Sequence, residues 1–158
     1  MGLLKKQKSF EIGSPLVGKT LPISRVPDQT FSTEILGKGV AISPLEGNVY
    51  APCDATVDLL LDTAHAVNLI TKNGMELLIH IGIDTVKLKG KHFTAHVKNG
   101  DVVKQGDLLI SFNQEAIEKE GYPSVVPVVV CGMGEFTCVT AVTDKQVKAG
   151  DTILILSK

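Results

Sequence analysis

"ELLIHIGIDTV", the stretch from Glu76 to Val86, decides the fold because apolar residues recur in it at every second position. Its odd-numbered positions hold four aliphatic residues: Leu77, Ile79, Ile81 and Ile83. A period of two residues is the signature of a β-strand that buries one face. His80 falls on the opposite face, and Gly82 and Asp84 follow it closely. The sequence therefore predicts a strand that presents a histidine away from the main core.

The rest of the chain also favours strands. From Ile12 onward, short runs rich in Val and Ile are interrupted regularly by Gly, Pro, Asn or Asp, which is typical of an all-β sandwich or barrel. One short helix is predicted over "NQEAIEKEG", with Asn113 as its cap and Gly121 at its end. The pattern V-K-x-G-D recurs at Val103 and Val147, which indicates an internal duplication with a turn at each Gly-Asp.

Length and composition limit the classes of function. A chain of 158 residues is long enough for one core, so we expect a flexible tail over residues 1–11 and one domain over residues 12–158. Lys plus Arg number 16 against 17 Asp plus Glu, and the chain has no Trp and two Tyr. It therefore lacks the basic stripe and stacking platform of a nucleic-acid-binding protein. We expect it to bind no nucleic acid and to act as a monomer.

Membrane insertion and disulfide bonding are also disfavoured. No apolar run approaches the roughly 20 residues that span a bilayer, and the start "MGLLKKQKSFEIG" is too short and too charged for a signal peptide. We expect a cytoplasmic protein whose tail is solvated or, at most, touches anionic lipid peripherally. The three cysteines form no C-x-x-C pair, so we interpret Cys53, Cys131 and Cys138 as small buried residues.

A second histidine is predicted to lie beside His80. Asn73-Gly74 is the strongest short signal for a two-residue type I′ hairpin between "TAHAVNLITK" and the His80 strand. Such a turn would set three pairs opposite each other: Val67 with His80, His65 with Gly82, and Thr63 with Asp84. His65 and His80 would then be diagonal neighbours on one face, with Gly82 leaving room between their rings. One more residue in the turn would separate the rings, so this inference depends on the turn.

Two such histidines have three chemical interpretations. A neutral imidazole is a good nucleophile near pH 7, and a second imidazole, oriented by Thr63, would stabilise charge on a transferring phosphoryl group. Alternatively, His65 and His80 hold a zinc ion, although a third ligand is then required. Each histidine could also simply pack in a half-buried position. His92 and His96 lack the glutamate of an H-E-x-x-H helix, and we interpret both as surface residues.

Several ordered blocks of residues resemble the glucose-type IIA component of the bacterial phosphoenolpyruvate-dependent sugar phosphotransferase system. The resemblance covers about Ile12 to Leu156 and rests on six blocks: "SPLVGK", "VPDQTF", "GKGVAISP", "TAHAV", "LLIHIGIDTVKLKGKHF" and "VKQGDLL". The most specific of these is H-x-G-I-D-T-V preceded by a second histidine in T-x-H-A. The resemblance implies an antiparallel β-sandwich with both histidines in a shallow apolar depression.

The resemblance also implies roles for individual residues. His80 would accept a phosphoryl group from the phosphocarrier protein HPr and pass it to a cysteine of a IIB domain, while His65 would support that group. Thr63 would bond to His65, and the Gly82 carbonyl would hold the other nitrogen of His80. Four further residues would meet the partners, two acidic and two apolar: Asp28, Asp84, Phe31 and Val86. No cofactor is required, although zinc could bind at His65 and His80 when a partner supplies a further ligand.

Two other classes of function compete with this interpretation. V-K-x-G-D also occurs in lipoyl and biotinyl carrier domains, but these need a lysine at a hairpin tip, and "TDKQ" around Lys145 matches that poorly. A zinc peptidase of a related β-fold would need H-x-x-x-D and H-x-H ligands, which are not found in the sequence. The phosphotransferase interpretation is therefore preferred to both.

Overall fold

The computed structural model describes residues 9–158, which form an all-β fold with short helical segments. The strands are β1 (Ser9–Gly13), β2 (Gly18–Pro22), β3 (Lys38–Pro44), β4 (Asn48–Tyr50), β5 (Ala55–Leu60), β6 (Ala66–Ile70), β7 (Met75–His80), β8 (Phe93–Ala95), β9 (Val102–Val103), β10 (Leu108–Phe112), β11 (Val126–Met133), β12 (Cys138–Ala141), β13 (Gln146–Val147) and β14 (Thr152–Ser157). The helices are α1 (Gln29–Ser32) and α2 (Gln114–Lys119), and two 3-10 turns span Ile23–Arg25 and Thr85–Leu88. Every strand pairing is antiparallel, as predicted.

The strand order shows the predicted duplication. The large sheet has the order β13-β2-β3-β11-β7-β6-β5-β9, so its two halves mirror each other about the central β11–β7 pair. Two three-stranded sheets, β1-β14-β12 and β4-β10-β8, match in the same way. The consecutive strands β4 to β10 form one copy, which is inserted between β3 and β11 of the other copy.

The repeated V-K-x-G-D motif forms the same turn in both copies. The Asp107 carboxylate accepts the Lys104 N–H at 2.8 Å, and the Asp151 carboxylate accepts the Lys148 N–H at 2.8 Å. The glycine before each aspartate has a positive φ, which only glycine adopts without strain. The motif is thus explained by structure alone, as a turn signal.

The large sheet separates two apolar cores, because its central strands alternate their side chains. Leu77, Ile79 and Ile81 lie in the main core, between this sheet and the two small ones. Leu78 faces the other side, where the chain after β2 covers a smaller core of six buried residues: Ile23, Val26, Phe31, Ala41, Ile83 and Val129. Ile83 was expected on the main face, but the chain turns at Gly82, with φ of 79°, and directs it into the smaller core.

The hairpin between β6 and β7 differs from the predicted one. Thr71 and Met75 close a three-residue loop, in which the Gly74 N–H donates to the Thr71 carbonyl at 3.0 Å and Gly74 has φ of 82°. This is a turn followed by a left-handed glycine, one residue longer than a type I′ turn. Ala66, and not Val67, therefore lies opposite His80. The predicted register, including the pairs of His65 and Thr63, is wrong by one residue.

The predicted helix and the predicted tail can both be compared with the structure. The Asn113 side chain caps α2 by accepting the Ala116 N–H, as predicted. The predicted tail, residues 1–11, overlaps β1, because residues 9–11 pair with β14; its remainder, residues 1–8, lies outside the described residues, as does any contact of that part with lipid. Within residues 9–158, no helix is long and apolar enough to cross a membrane.

The cysteines are not uniformly buried, as we had interpreted them to be. Cys53 is buried in the main core, and burial beside Asp54 raises the pKa of its thiol to about 11. Cys131 and Cys138 are exposed, because they lie on the outward faces of β11 and β12. All three are free thiols.

Candidate active site

His80 ends β7 on the side of the smaller core, and one of its two ring nitrogens is held by a hydrogen bond. Its Nδ1 lies 2.7 Å from the Gly82 carbonyl oxygen. Because a carbonyl can only accept, Nδ1 carries the proton, and Nε2 of the neutral ring keeps its lone pair. His80 is half-buried, and the lone pair on Nε2 gives its neutral ring nucleophilic character.

His65 faces His80 from a neighbouring segment. Its side chain is 4% exposed, and its Nδ1 lies 2.6 Å from the Thr63 hydroxyl oxygen. The two imidazole centroids are 5.1 Å apart, with an angle of 80° between the ring planes. The structure therefore brings His65 and His80 together, edge to face, and leaves the Nε2 atom of each ring free of these two hydrogen bonds.

His65 reaches this position because it precedes the regular part of β6. Ala64 adopts a left-handed conformation with φ of 54°, and its N–H closes a turn on the Leu61 carbonyl at 2.9 Å. The His65 carbonyl accepts the Ile81 N–H at 2.7 Å, which ties the segment to the end of β7. Regular strand alternation would direct the His65 ring into the main core. Strand β6 begins only at Ala66, and the left-handed Ala64 interrupts that alternation. This is why the rings meet despite the different hairpin register.

Phe31 supports the His80 ring from the smaller core. Helix α1 carries Phe31, and Asp28 caps this helix by accepting the Thr30 N–H at 2.9 Å. The Phe31 and His80 ring centroids are 5.1 Å apart, with a tilt of 58°. Phe31 is only 4% exposed, so it offers little area for the docking predicted for it. Its aromatic ring instead contributes a packing wall that restricts the orientation of His80.

Burial keeps both imidazoles neutral at physiological pH. Desolvation, together with the neighbouring His80 ring, lowers the pKa of His65 to about 4. Desolvation also lowers the pKa of His80, although the Gly82 carbonyl and the carboxylates of Asp28 and Asp84 oppose this shift. A neutral His80 is the form that has a lone pair to offer.

The remaining predicted partner residues surround the site with both charge and apolar area. Asp84 is exposed and adopts a left-handed conformation with φ of 60°, which starts the 3-10 turn Thr85–Leu88. Val86 is 51% exposed in that turn, and Asp28 is half-buried at the start of α1. The carboxylates of Asp28 and Asp84 both raise the pKa of His80 against the larger effect of burial, so negative charge lies near its ring.

The site presents few metal ligands. His65 and His80 could supply two imidazole nitrogens, but within residues 9–158 no group of three or more His, Cys, Asp or Glu side chains is placed to hold an ion. A tetrahedral zinc ion needs four ligands. His92 and His96 lie elsewhere and bond to Glu120 and Ser111, respectively.

Two features near the histidines were not anticipated from the sequence. The left-handed Ala64 sets the direction of His65, and nothing in an alanine signals this conformation. Thr85 is fully buried, and its hydroxyl donates to the carbonyl of Ile81, the residue before Gly82. A threonine four residues after an apolar strand position is a weak signal for such a bond, since side-chain to backbone bonds to the fourth preceding residue are common.

Known proteins match this chain over a region that includes both His65 and His80. The family model described as the phosphoenolpyruvate-dependent sugar phosphotransferase system, EIIA 1, matches residues 10–136. A beta-glucoside-specific EIIBCA component from Dickeya chrysanthemi is 47% identical over 136 residues, which are 86% of this chain and 22% of that protein. A glucose-specific EIIA component from Oceanobacillus iheyensis is 38% identical over 151 residues, which are 96% of this chain and 92% of that protein.

The fold has a counterpart among solved structures. Glucose permease IIA from Mycoplasma capricolum superposes with a TM-score of 0.84 at 30% sequence identity, covering 94% of this chain and 96% of that one. The match supports the β-sandwich described above. The peptidase and carrier alternatives receive no support from these relatives.

Proposed function

The chain belongs to the EIIA 1 family of the phosphoenolpyruvate-dependent sugar phosphotransferase system, a phosphotransferase family that relays phosphoryl groups in sugar uptake, and we propose that His80 is its phosphoryl acceptor. The observation that supports this assignment most directly is the hydrogen bond from His80 Nδ1 to the Gly82 carbonyl. It leaves Nε2 of the half-buried ring as the atom with a lone pair. Among the four histidines, all of which are described, only His80 bonds through a ring nitrogen to a backbone carbonyl, whereas His65 bonds to the Thr63 hydroxyl and the other two bond to side chains.

The transfer needs only a lone pair and a phosphoryl donor. The His80 Nε2 lone pair forms a bond to phosphorus while the bond between phosphorus and the donor breaks, and the donor leaves with those electrons. In the next step a cysteine thiolate of a IIB domain forms a bond to phosphorus, and His80 recovers its lone pair. His80 gains and loses no proton at Nδ1, because the Gly82 carbonyl holds that hydrogen throughout.

His65 has the complementary role of stabilising charge. If the Thr63 hydroxyl donates to His65 Nδ1, the neutral ring must carry its proton on Nε2. That N–H then donates to an oxygen of the phosphoryl group as charge shifts during transfer. Thr63 would thereby select the tautomer of His65, as the Gly82 carbonyl selects that of His80.

In this proposal HPr is the phosphoryl donor, a IIB domain is the acceptor, and the protein acts as a monomer in the cytoplasm. Asp28 and Asp84 provide negative charge for basic side chains of these partners, and the exposed Val86 provides apolar area. Because Phe31 is buried, its role is to pack against the His80 ring and not to contact a partner. The beta-glucoside-specific relative is a single protein that contains IIB as well as IIA, so its partner is covalently linked.

Intact mass spectrometry tests the assignment of His80. The protein is incubated with phosphoenolpyruvate, the upstream phosphotransferase and HPr, and it should gain one phosphoryl group. Phosphohistidine is a phosphoramidate, so the adduct should be lost in mild acid and survive in base. His80→Ala should form no adduct, whereas His96→Ala, a change at an exposed histidine, should behave as the parent. An acid-stable adduct, or an adduct on His80→Ala, would contradict the proposal.

A further inference from the structure

The Gly82 carbonyl determines how His80 points, so the groups that hold Gly82 determine the site. Gly82 has φ of 79°, a conformation that glycine adopts readily, but glycine also rotates away from it easily. Two peptide groups flank Gly82, one shared with Ile81 and one shared with Ile83. Unless both peptide planes are fixed, the carbonyl has no reason to stay directed at His80 Nδ1.

Both peptide groups are held by hydrogen bonds. In the peptide between Gly82 and Ile83, the Ile83 N–H donates to the Pro123 carbonyl at 3.0 Å, and the Gly82 carbonyl accepts from His80. In the peptide between Ile81 and Gly82, the Gly82 N–H donates to the Val125 carbonyl at 3.0 Å. The remaining group, the Ile81 carbonyl, accepts the Thr85 hydroxyl at 2.5 Å.

Thr85 is the only side chain besides His80 in this set of contacts. All the other partners of the two peptide groups are backbone atoms, which a substitution cannot remove. Thr85 is 0% exposed, so no water competes for the bond. Its methyl group also lies directly beneath the turn, since a Cβ built on Gly82 would approach Thr85 Cγ2 to 2.5 Å. Thr85 therefore both bonds to the turn and fills the space under it.

We propose that Thr85 is a positioning residue for phosphoryl transfer, whose hydroxyl fixes the Ile81–Gly82 peptide so that the Gly82 carbonyl holds His80 in the tautomer with a free Nε2 lone pair. This inference rests on the proposed role of His80 as acceptor. Without the hydroxyl, the Ile81 carbonyl is buried and unpaired, which is unfavourable, and only the Gly82 N–H bond to Val125 still holds this peptide. Rotation at Gly82 would carry its carbonyl away from His80 Nδ1. The ring would then populate the other tautomer, in which Nε2 bears the proton and cannot attack.

Thr85→Val tests this because it keeps the branched shape and replaces only the hydroxyl by a methyl group. Thr85→Ser keeps the hydroxyl and removes the methyl group. Ile153→Val, a change in the main core on β14, is the control for loss of stability without a change near His80. Each variant and the parent are measured for the tautomer of His80, by the 15N chemical shifts of its ring, and for the rate of adduct formation with phosphorylated HPr.

We expect Thr85→Val to show a smaller fraction of the Nδ1–H tautomer and a rate lower by about tenfold to hundredfold, the usual effect of a misplaced reacting group. Thr85→Ser should keep the tautomer fraction and the rate close to those of the parent, and Ile153→Val should change neither. An unchanged tautomer in Thr85→Val, whatever its rate, would overturn the proposal, as would an equal loss of rate in Ile153→Val. Because the chemical shifts are measured without phosphorylation, they test Thr85 separately from the role of His80. That role is tested by the absence of an adduct on His80→Ala.

Discussion

The rings of His65 and His80 meet edge to face, with centroids 5.1 Å apart, and each holds a different hydrogen-bond partner at Nδ1. The Gly82 carbonyl faces one ring, and the Thr63 hydroxyl faces the other. Two imidazoles of the same intrinsic chemistry are therefore placed in different environments. This difference predicts that their substitution has different consequences.

Replacing His65 should slow phosphoryl transfer without abolishing it. His65→Gln keeps the His80 nucleophile but removes the imidazole donor to the phosphoryl oxygens. We expect the rate of adduct formation to fall by about 10² to 10³, the order seen when one oxyanion donor is removed. A time course of intact mass with phosphorylated HPr measures this rate. The acid-labile adduct should still accumulate, and its complete absence would show that His65 is indispensable rather than supporting.

The buried His65 should also make the protein less stable in acid. Its pKa is about 4 in the folded state and near 6.5 in the unfolded chain, so well above pH 6.5 both states are neutral and the residue has no effect on the pH dependence. As the pH falls from 6.5 to 4, the unfolded chain takes up a proton and the folded protein does not. The free energy of unfolding should therefore fall by about 2 to 3 kcal/mol from this residue alone.

Denaturant unfolding at pH 7.5 and pH 4.5 isolates this contribution. The parent should lose more stability between these two pH values than His65→Gln does, because glutamine does not titrate. The carboxylates contribute equally to both proteins and cancel in the comparison. Equal losses would mean that His65 is protonated in the folded protein well above pH 4.

The loop between β6 and β7 should be sensitive to its glycine. Gly74 has φ of 82°, whereas a Cβ at this position would meet only ordinary contact with Gly134 Cα at 3.5 Å. Gly74→Ala should therefore cost about 1 to 2 kcal/mol through backbone strain alone. Chemical unfolding measures this cost, with Lys72→Ala at an exposed neighbouring position as the near-neutral control. Since His80 lies at the other end of β7, adduct formation should keep its parental rate; a slower rate would show that the loop affects the site.

Zinc should bind the isolated protein weakly. The two Nε2 atoms leave a tetrahedral ion two ligands short, and water is a poor replacement for a protein ligand. Titration calorimetry with zinc should show weak binding to the parent and no binding to His65→Gln. Addition of a partner that provides a carboxylate should strengthen it. Tight binding by the protein alone would mean that further ligands reach the ion.

The hairpin shows where reasoning from the sequence failed and why. Asn73-Gly74 suits a two-residue turn, but it equally suits a longer loop that ends in a left-handed glycine. The Thr71 side chain favours the longer loop, because its hydroxyl accepts the Met75 N–H at 3.2 Å and donates to the Asn73 side chain. These bonds compete with the shorter turn, and a pairing rule based on two residues does not include them.

Other parts of the fold were predictable because local and global signals agree. The alternation in β7, the Asn113 cap and the V-K-x-G-D turns each depend on neighbours within a few residues, and each was predicted correctly. The direction of His65 depends instead on the left-handed Ala64 and on the Ile81 N–H, a contact across the sheet. Such conformations are imposed by tertiary packing, and residue propensities do not reveal them.

The insertion of one copy of the duplicated unit into the other has a consequence for the order of folding. The inner copy, β4 to β10, is continuous in sequence, whereas β1 can pair with β14 only after nearly the whole chain has been brought together. Closing the longer loop costs more entropy, and distant pairings form slowly. We therefore expect amide protons of the inner copy to gain protection first in pulse-labelled hydrogen exchange, before the Ser9–Ser157 pairing forms. The site would then be assembled late, since His80 comes from the inner copy and Phe31 from the outer one.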